Sequence, residues 1–480
     1  MEKKDYESLI LKNDKFTEDA EIALGLVKKY VIAKKLIIVG GMAIDIALRL
    51  KGDKLYDDDV LPDYDFYSPE YHVDAYKIAE LLNNAGLKNI SVINANHTST
   101  MRVRVNYTVV ADVTYMPKII FDKLPTLLYR DVYIIHPHYQ LIDQHRALSL
   151  PYENPPWEVI THRWKKDATR YDILYNNYPI EAPDIKNQSI TLMPEIKLSS
   201  IDFKNQCISG FVGLLYWHDL ATQYGFKEKT NLGKIHIDFG GLVAEIPEDS
   251  HGVTIYSNDV IKLHKLLKDK YGFKKERQYN RFLDKLPYKV IIDNKWELLD
   301  NSGYLISAHK LDTEIYIANL QNIMLYMLTN LILLQKINDE TRGNSFSIGY
   351  LLAQSIVKWA CTEYKNNIKN PTTSKIANKP TTSKNTKNPT KKINKFKVFL
   401  PSATIYGDNE ISDSYLNAKR LFLEKLGERP KINVQPNIIF PETFVNGKIP
   451  DKYYKFIPND SPILQFDGSE TDTYFNRIEF

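Results

Sequence analysis

The chain has 480 residues, 43% of them hydrophobic and 25% charged, enough for two or three domains with buried cores and ordinary for a globular protein. Its net charge of +4 is misleading, because residues 365–397 hold 10 lysines and no acid; taking those from the 63 basic residues leaves 53 against 59 acidic, a net of −6. A mildly acidic body excludes global attraction to nucleic acid, so any such partner needs a local basic patch.

Apolar residues Ile22, Leu26, Val27, Tyr30 and Val31 fall at helical spacing and predict a helix over 17–35. A short apolar strand at 36–39 then meets Gly40-Gly41, and a helix resumes over 42–50. A polar excursion with the acidic run Asp57-Asp58-Asp59 reads as a solvated insertion and leads into Leu-Pro-Asp63-Tyr-Asp65-Phe-Tyr. A helix over 73–85 and strands at 90–93, 101–105 and 108–115 follow, the last carrying Asp112 in Val-Val-Ala-Asp-Val-Thr-Tyr. A helical stretch over 155–178 carries Trp157, Ile160, Trp164, Tyr171, Leu174 and Tyr178, with Arg163, Lys166 and Arg170 as a basic stripe beside them.

From about 180 to 334 a similar alternation restarts. It predicts a helix at 211–224, strands at 234–246 and 252–256, a helix at 258–271, and strands at 289–292 and 302–309. A core helix over 315–334 is too interrupted by Asn319, Gln321, Asn322 and Asn330 to read as a membrane span. No second Asp-x-Asp follows a Gly-Gly turn here; Asp238 in His-Ile-Asp-Phe-Gly-Gly comes nearest. The near-copies Lys-Asn-Pro-Thr-Thr-Ser-Lys and Asn-Lys-Pro-Thr-Thr-Ser-Lys mark 366–394 as a disordered basic loop. Mixed structure returns after it, with a helix near 412–426. The chain thus divides into units at 1–180 and 181–364, a loop at 365–395, and a segment at 396–480 packing on the second unit.

Cys207 and Cys361 are too few for a disulfide framework or a cysteine zinc site, and the first residues lack the apolar core of a secretory signal, so a soluble intracellular protein is expected. His136-Pro-His138 has no acid or cysteine to complete a metal site and reads as a rigid loop.

The aspartates carry the chemistry. Residues two apart on a strand share a face, so Asp63 and Asp65 point into one volume, and Asp112 on a neighbouring strand can join them. Three converging carboxylates repel unless a cation holds them, and hard oxygen donors suit Mg²⁺ or Mn²⁺. Gly40 and Gly41, at the start of a helix, let backbone approach a triphosphate. Arg102 and Arg104 share one strand face, as phosphate contacts or as edge residues.

Together these elements resemble the nucleotidyltransferase superfamily related to polymerase beta, with Gly40-Gly41 as its glycine motif and Asp63, Asp65 and Asp112 as its acids. Gly41 stands where other members often carry a serine, and the gap to Asp63 is lengthened by the acidic insertion. Val-Gly-Gly-Met-Ala-Ile-Asp, Asp-Tyr-Asp-Phe-Tyr-Ser, Arg-Trp-Lys-Lys-Asp and Phe-Asp-Gly-Ser resemble, more narrowly, the poly(A) polymerase catalytic subunits of large cytoplasmic DNA viruses (poxvirus-, mimivirus- and asfarvirus-like). The resemblance implies an α/β (α+β) polymerase-beta-like nucleotidyltransferase domain, followed by a second, degenerate and inactive one and a C-terminal extension. It implies addition of AMP from ATP to RNA 3′ ends, with Asp63, Asp65 and Asp112 as catalytic metal ligands. Gly40, Gly41, Lys166 and Arg163 would contact ATP phosphates, and Arg170, Arg102 and Arg104 the RNA. It further implies action in the host cytoplasm at viral factories, with packaging in the virion as an extension, as a homodimer or beside a separate processivity subunit. Another RNA or small-molecule nucleotidyltransferase, or a non-catalytic RNA-binding subunit, are the competing expectations.

Overall fold

The computed structural model describes residues 14–58, 60, 62–95, 100–149, 157–181, 190–238, 240–279, 289–300, 308–334, 344–369, 395–399 and 455–456. Helix α1 (Asp14–Lys34) packs its Ala23, Val27 and Val31 on the first sheet. The apolar triplet Ile-Ile-Val forms β1 (Ile37–Val39), and Gly40 turns the chain into α2 (Gly40–Arg49) with φ +64°. Then come β2 (Tyr64–Ser68), α3 (Tyr71–Asn84), β3 (Ile90–Asn94), β4 (Thr100–Val105) and β5 (Thr108–Tyr115). Phe66 and Val113 are fully buried by the alternation that turns Asp65 and Asp112 the other way. Burial of such a side chain contributes roughly 1.5–3 kcal/mol.

A short α4 (Lys118–Phe121), the hairpin β6 (Thr126–Tyr129) and β7 (Val132–Ile135), and α5 (Pro137–Ser149) are elements the sequence pattern does not announce. Arg130 and Asp131 make the hairpin turn with φ of 45° and 66°, conformations usually signalled by glycine or asparagine. His136-Pro-His138 is not a rigid loop: Pro137 opens α5, where its missing N–H is no loss, and His136 Nδ1 accepts the His138 N–H at 3.2 Å. Helix α6 (Trp157–Asn177) closes this half.

The second half contains β8 (Ile196–Ser199), β9 (Cys207–Ser209), α7 (Gly210–Gln223), β10 (Lys234–Asp238), β11 (Gly241–Glu245), β12 (Val253–Ser257) and α8 (Val260–Tyr271). It continues with β13 (Glu276–Tyr279), β14 (Lys289–Ile292), β15 (Trp296–Asp300), β16 (Ala308–Lys310) and β17 (Tyr316–Ala318). The single strand expected at 234–246 is a hairpin, β10–β11. Of the strand expected at 302–309 only the end is among the described residues, as part of β16. The long helix expected at 315–334 begins as β17. Its helix, α9 (Leu320–Thr329), starts where the Asn319 side chain accepts the Asn322 N–H at 2.9 Å, so a residue that interrupts the apolar run is an N-cap. Helix α10 (Ser345–Lys369), unmarked in the sequence pattern, runs into the stretch expected to be loop. The remainder of that loop and the expected helix at 412–426 lie outside the described residues.

Two seven-stranded sheets have the same plan. The first is ordered β3-β4-β5-β2-β1-β7-β6 and the second β13-β14-β15-β12-β9-β17-β16. In each the central pair is antiparallel (β1/β2, β9/β12) and is flanked by parallel pairs (β1/β7 and β2/β5; β9/β17 and β12/β15). β8, β10 and β11 form a separate three-stranded sheet. Helices join the halves: α5 meets α9, where His145 Nε2 lies 3.3 Å from the Gln321 carbonyl, and the Tyr171 and Tyr350 hydroxyls link α6 to α10. No helix among the described residues is long and apolar enough to cross a membrane.

Candidate active site

β2 and β5 run parallel with Asp65 opposite Asp112, and antiparallel β1 places Val39 opposite Asp65. Asp63 immediately precedes β2. The strand register thus brings the three sequence-predicted acids together, with one oxygen from each within 4.8 Å of the others. Theirs is the one such group of potential metal ligands among the described residues. Gly40 lies directly behind Asp65: a Cβ built on it would sit 2.3 Å from Asp65 Oδ2, so this position needs glycine for space as well as for its φ. Gln140 on α5 donates to the Gly40 carbonyl at 3.2 Å and fixes the turn, a role no motif in the sequence marks. No side chain caps the start of α2.

The electrostatics call for positive charge. Burial raises the Asp65 pKa to about 8, with the charges of Asp63 and Asp112 adding to the shift and Arg170 and Arg102 opposing it. Burial, then the charge of Asp112, raises that of Asp63, opposed by Arg102 and Lys166. Arg102 from β4 grips Asp112 with both prongs, Nε to Oδ1 at 2.8 Å and Nη2 to Oδ2 at 2.6 Å. The three carboxylates present hard oxygens to one partly buried recess, the donor set that suits Mg²⁺ or Mn²⁺, with Arg102, Arg170 and Lys166 around it. Each Asp112 oxygen retains lone pairs beyond its bond to Arg102.

Of the expected basic contacts, Lys166 on α6 is exposed and near enough to act on Asp63, and Arg170 acts on Asp65. The Arg163 side chain lies outside the described residues. Arg102 is engaged at the acids; Arg104, two residues along β4, is half-buried, past a register shift in the β4–β5 ladder. Asp57 and Asp58 are solvated, as expected of the insertion, and pair with Lys54 and Arg49. Asp59 lies outside the described residues.

The second sheet has a counterpart recess. Ser209 precedes Gly210 as Val39 precedes Gly40, and Gly210 has φ +59°. The register sets Thr254 opposite Ser209 and Glu297 opposite Thr254, in the places of Asp65 and Asp112, and Gly252 falls two before Thr254 where Asp63 falls two before Asp65. A Cβ on Gly210 would meet Thr254 Oγ1 at 2.4 Å. Here the carboxylate is already satisfied: Glu297, fully buried, accepts from Lys289 Nζ at 3.1 Å, Thr254 Oγ1 at 3.0 Å and Tyr326 Oη at 2.5 Å.

Residues 25–154 match the family described as Poly(A) polymerase catalytic subunit, a stretch that contains all three acids and the glycine turn. A proposed poly(A) polymerase catalytic subunit of African swine fever virus is 42% identical over 213 residues, which is 44% of this chain and 44% of that protein. One from Acanthamoeba polyphaga mimivirus is 30% identical over 172 residues, covering 35% of this chain and 28% of that protein. The matched stretch is thus under half the length of these curated relatives. The crystal structure of the Megavirus polyadenylate synthase superposes with a TM-score of 0.55 at 19% identity, covering 76% of this chain and 77% of that one, and so shares the fold. The resemblance read from the sequence is borne out, and with it the mixed α/β fold.

Proposed function

We propose that this protein is a template-independent poly(A) polymerase that transfers AMP from ATP to the 3′-hydroxyl of mRNA. The observation that carries the reading is the convergence of Asp63, Asp65 and Asp112 beside the Gly40 turn, inside the stretch that matches the poly(A) polymerase family. In the reaction the 3′-oxygen bonds to the α-phosphorus, the bridge to the β-phosphate breaks, and pyrophosphate leaves.

Asp63, Asp65 and Asp112 would hold Mg²⁺ or Mn²⁺, which supplies charge neutralisation and a lowered pKa for the attacking hydroxyl. The protein's own part is positioning. Arg102 fixes the Asp112 carboxylate in one orientation, so that it need not reorganise during the reaction. Gly40 makes room for Asp65 and Gly41 for Tyr56 and Arg170 beside the α2 N-terminus, whose N–H groups favour phosphate. Lys166, exposed on α6 and acting on Asp63, supplies a cation at the rim, with Arg163 one turn earlier in the helix. RNA contacts fall to basic residues around this recess, Arg104 among them, since the body as a whole is acidic.

On the same reading the chain divides into a catalytic unit at 1–180 and an inactive nucleotidyltransferase-like unit at 181–364, followed by a basic loop at 365–395 and a segment at 396–480. The exchange of Asp63 and Asp65 for Gly252 and Thr254 supports inactivity of the second unit. The family resemblance further supports work in the host cytoplasm, as a homodimer or beside a processivity subunit.

The test is AMP transfer by purified protein to an oligo(A) primer, offering each nucleoside triphosphate in turn with Mg²⁺ or Mn²⁺. Preference for ATP is expected. Efficient CTP incorporation, or no extension with any nucleotide, would contradict the proposal.

A further inference from the structure

The insertion between α2 and β2 is not a free loop. Asp45, only 6% exposed, accepts the N–H groups of Leu55 at 2.8 Å and Tyr56 at 2.9 Å, and Arg49 Nε at 2.6 Å. The Arg49 guanidinium continues to Asp58 at 2.8 Å and to the Tyr56 carbonyl at 3.0 Å. These bonds tie both faces of the segment to the last turns of α2, and they fix where Tyr56 goes.

Tyr56 goes to the glycine turn. Its phenol oxygen is so close to Gly41 that a Cβ there would lie 2.0 Å away, and Arg170 Nη2 would lie 2.8 Å from the same point. Arg170 Nη2 also donates to the Tyr56 oxygen at 2.9 Å. Gly41 is therefore needed for the approach of this pair, a reason distinct from the space behind Asp65 that Gly40 provides. Since the phenol oxygen accepts from Arg170, its own O–H is left to donate elsewhere. Tyr56 and Arg170 both lie close enough to the acids to act on Asp65, so this pair adjoins both the uncapped start of α2 and the acidic recess.

We propose that Tyr56 is a positioning residue for the incoming nucleotide: it holds the Arg170 guanidinium over the Gly40-Gly41 turn, where the two together bind the phosphate tail of a nucleoside triphosphate. Arg170, expected from the family resemblance to contact RNA, is assigned to the triphosphate instead. A guanidinium loses rotamer freedom when it binds, and fixing it beforehand lowers that cost. Free phosphate would be repelled by Asp63 and Asp65, so the ligand class is a nucleoside triphosphate carrying its divalent cation. The inference rests on the AMP-transfer reading.

Tyr56→Phe keeps the ring and removes only the hydroxyl. It should raise KM for ATP about 5- to 10-fold, the effect of one lost hydrogen bond. The expected kcat stays within about twofold, and KM for the oligo(A) primer is unchanged, because this contact serves nucleotide binding rather than the chemical step. Arg170→Gln should raise KM for ATP at least as much, and the double variant should be no worse than Arg170→Gln alone. Equilibrium binding of ATP with Mg²⁺ gives the same ranking without turnover. An unchanged KM for ATP and unchanged ATP binding in Tyr56→Phe would overturn the proposal, as would a rise confined to the primer KM. If Tyr56→Phe lowers the melting temperature, Arg170→Gln decides by the same two constants. Failure of the wild-type protein to extend any primer would instead overturn the AMP-transfer reading, and the binding measurement would still decide the role of Tyr56.

Discussion

The two seven-stranded sheets place the same three positions in the same relation and fill them in opposite ways. Behind a left-handed glycine, the first sheet sets Asp65 and Asp112 side by side, with Asp63 at the strand entrance. The second sets Thr254 and Glu297 there, with Gly252 at the entrance, and completes the carboxylate internally with Lys289, Thr254 and Tyr326. One recess gathers three carboxylates, two of them with pKa values raised by burial and mutual repulsion, while the other pairs a single carboxylate with its own buried lysine. Strand pairing sets the geometry in both. On the proposed reading the recess that gathers three acids is the reactive one, and the recess that pairs its single acid internally is structural.

The comparison can be broken most sharply at Asp65. Asp65→Asn should lower AMP transfer at least about 10³-fold, the loss of several kcal/mol of charge stabilisation. In the presence of a chelator the same variant should melt higher than wild type, because a buried carboxylate among like charges is removed. Primer extension and calorimetry read the two effects, and a lower melting temperature would contradict this view of the recess.

The mirror experiment is Glu297→Gln. It leaves the Lys289 ammonium buried without its counter-charge, and loss of about 3–5 kcal/mol of stability is expected in denaturant unfolding. Below the unfolding transition its AMP transfer per folded molecule should match wild type.

At the paired glycines, alanine would force a left-handed residue and a collision at both sites. Gly40→Ala should lower kcat by about 100-fold through displacement of Asp65, given the sensitivity of catalysis to misplacements of an ångström. Gly210→Ala should shift the melting temperature and leave kcat in place. Equal kinetic defects in the two variants would dissolve the contrast.

A further expected effect concerns pH. Burial lowers the pKa of His72 to about 3 and that of His145, at the α5–α9 contact, to about 4. Between those values and the ordinary value of 6.5, the unfolded chain binds protons that the folded protein does not. Stability must therefore fall as pH drops from about 6.5 towards 4, by at most about 1.4 kcal/mol per pH unit for each histidine. Melting temperatures across that range should fall less steeply for His145→Gln than for wild type; identical slopes would exclude His145 as a source.

The three acids were legible in the sequence because strand alternation puts Asp63 and Asp65 on one face, and because a carboxylate such as Asp112 in an apolar strand requires a positive partner. The structure brings all three together. Most of the first sheet was legible from the same alternation. The β6–β7 hairpin was not, since Arg130 and Asp131 adopt turn conformations without the residues that usually signal them. Asn319 misled because a capping side chain and a break in an apolar helix look alike in sequence. Tyr56 was hidden for a different reason: its role depends on Asp45 and Arg49 folding the insertion back, and on Arg170, 114 positions away. The i,i+4 pair Asp45–Arg49 beside a polar excursion was the available local clue. From the residues alone the likeness of the sheets was legible only as a restart of alternation, because Thr254 and Glu297 match Asp65 and Asp112 in register rather than in residue type; the family resemblance was what implied a second such unit.

The central claim is that one of two matching recesses performs the chemistry. Its most direct test is single-turnover AMP transfer from ATP to an oligo(A) primer by wild type, Asp112→Asn and Glu297→Gln, at a temperature where all three are folded. Transfer at the wild-type rate is expected for Glu297→Gln, and loss of at least about 10³-fold for Asp112→Asn. Wild-type transfer by Asp112→Asn would contradict that claim.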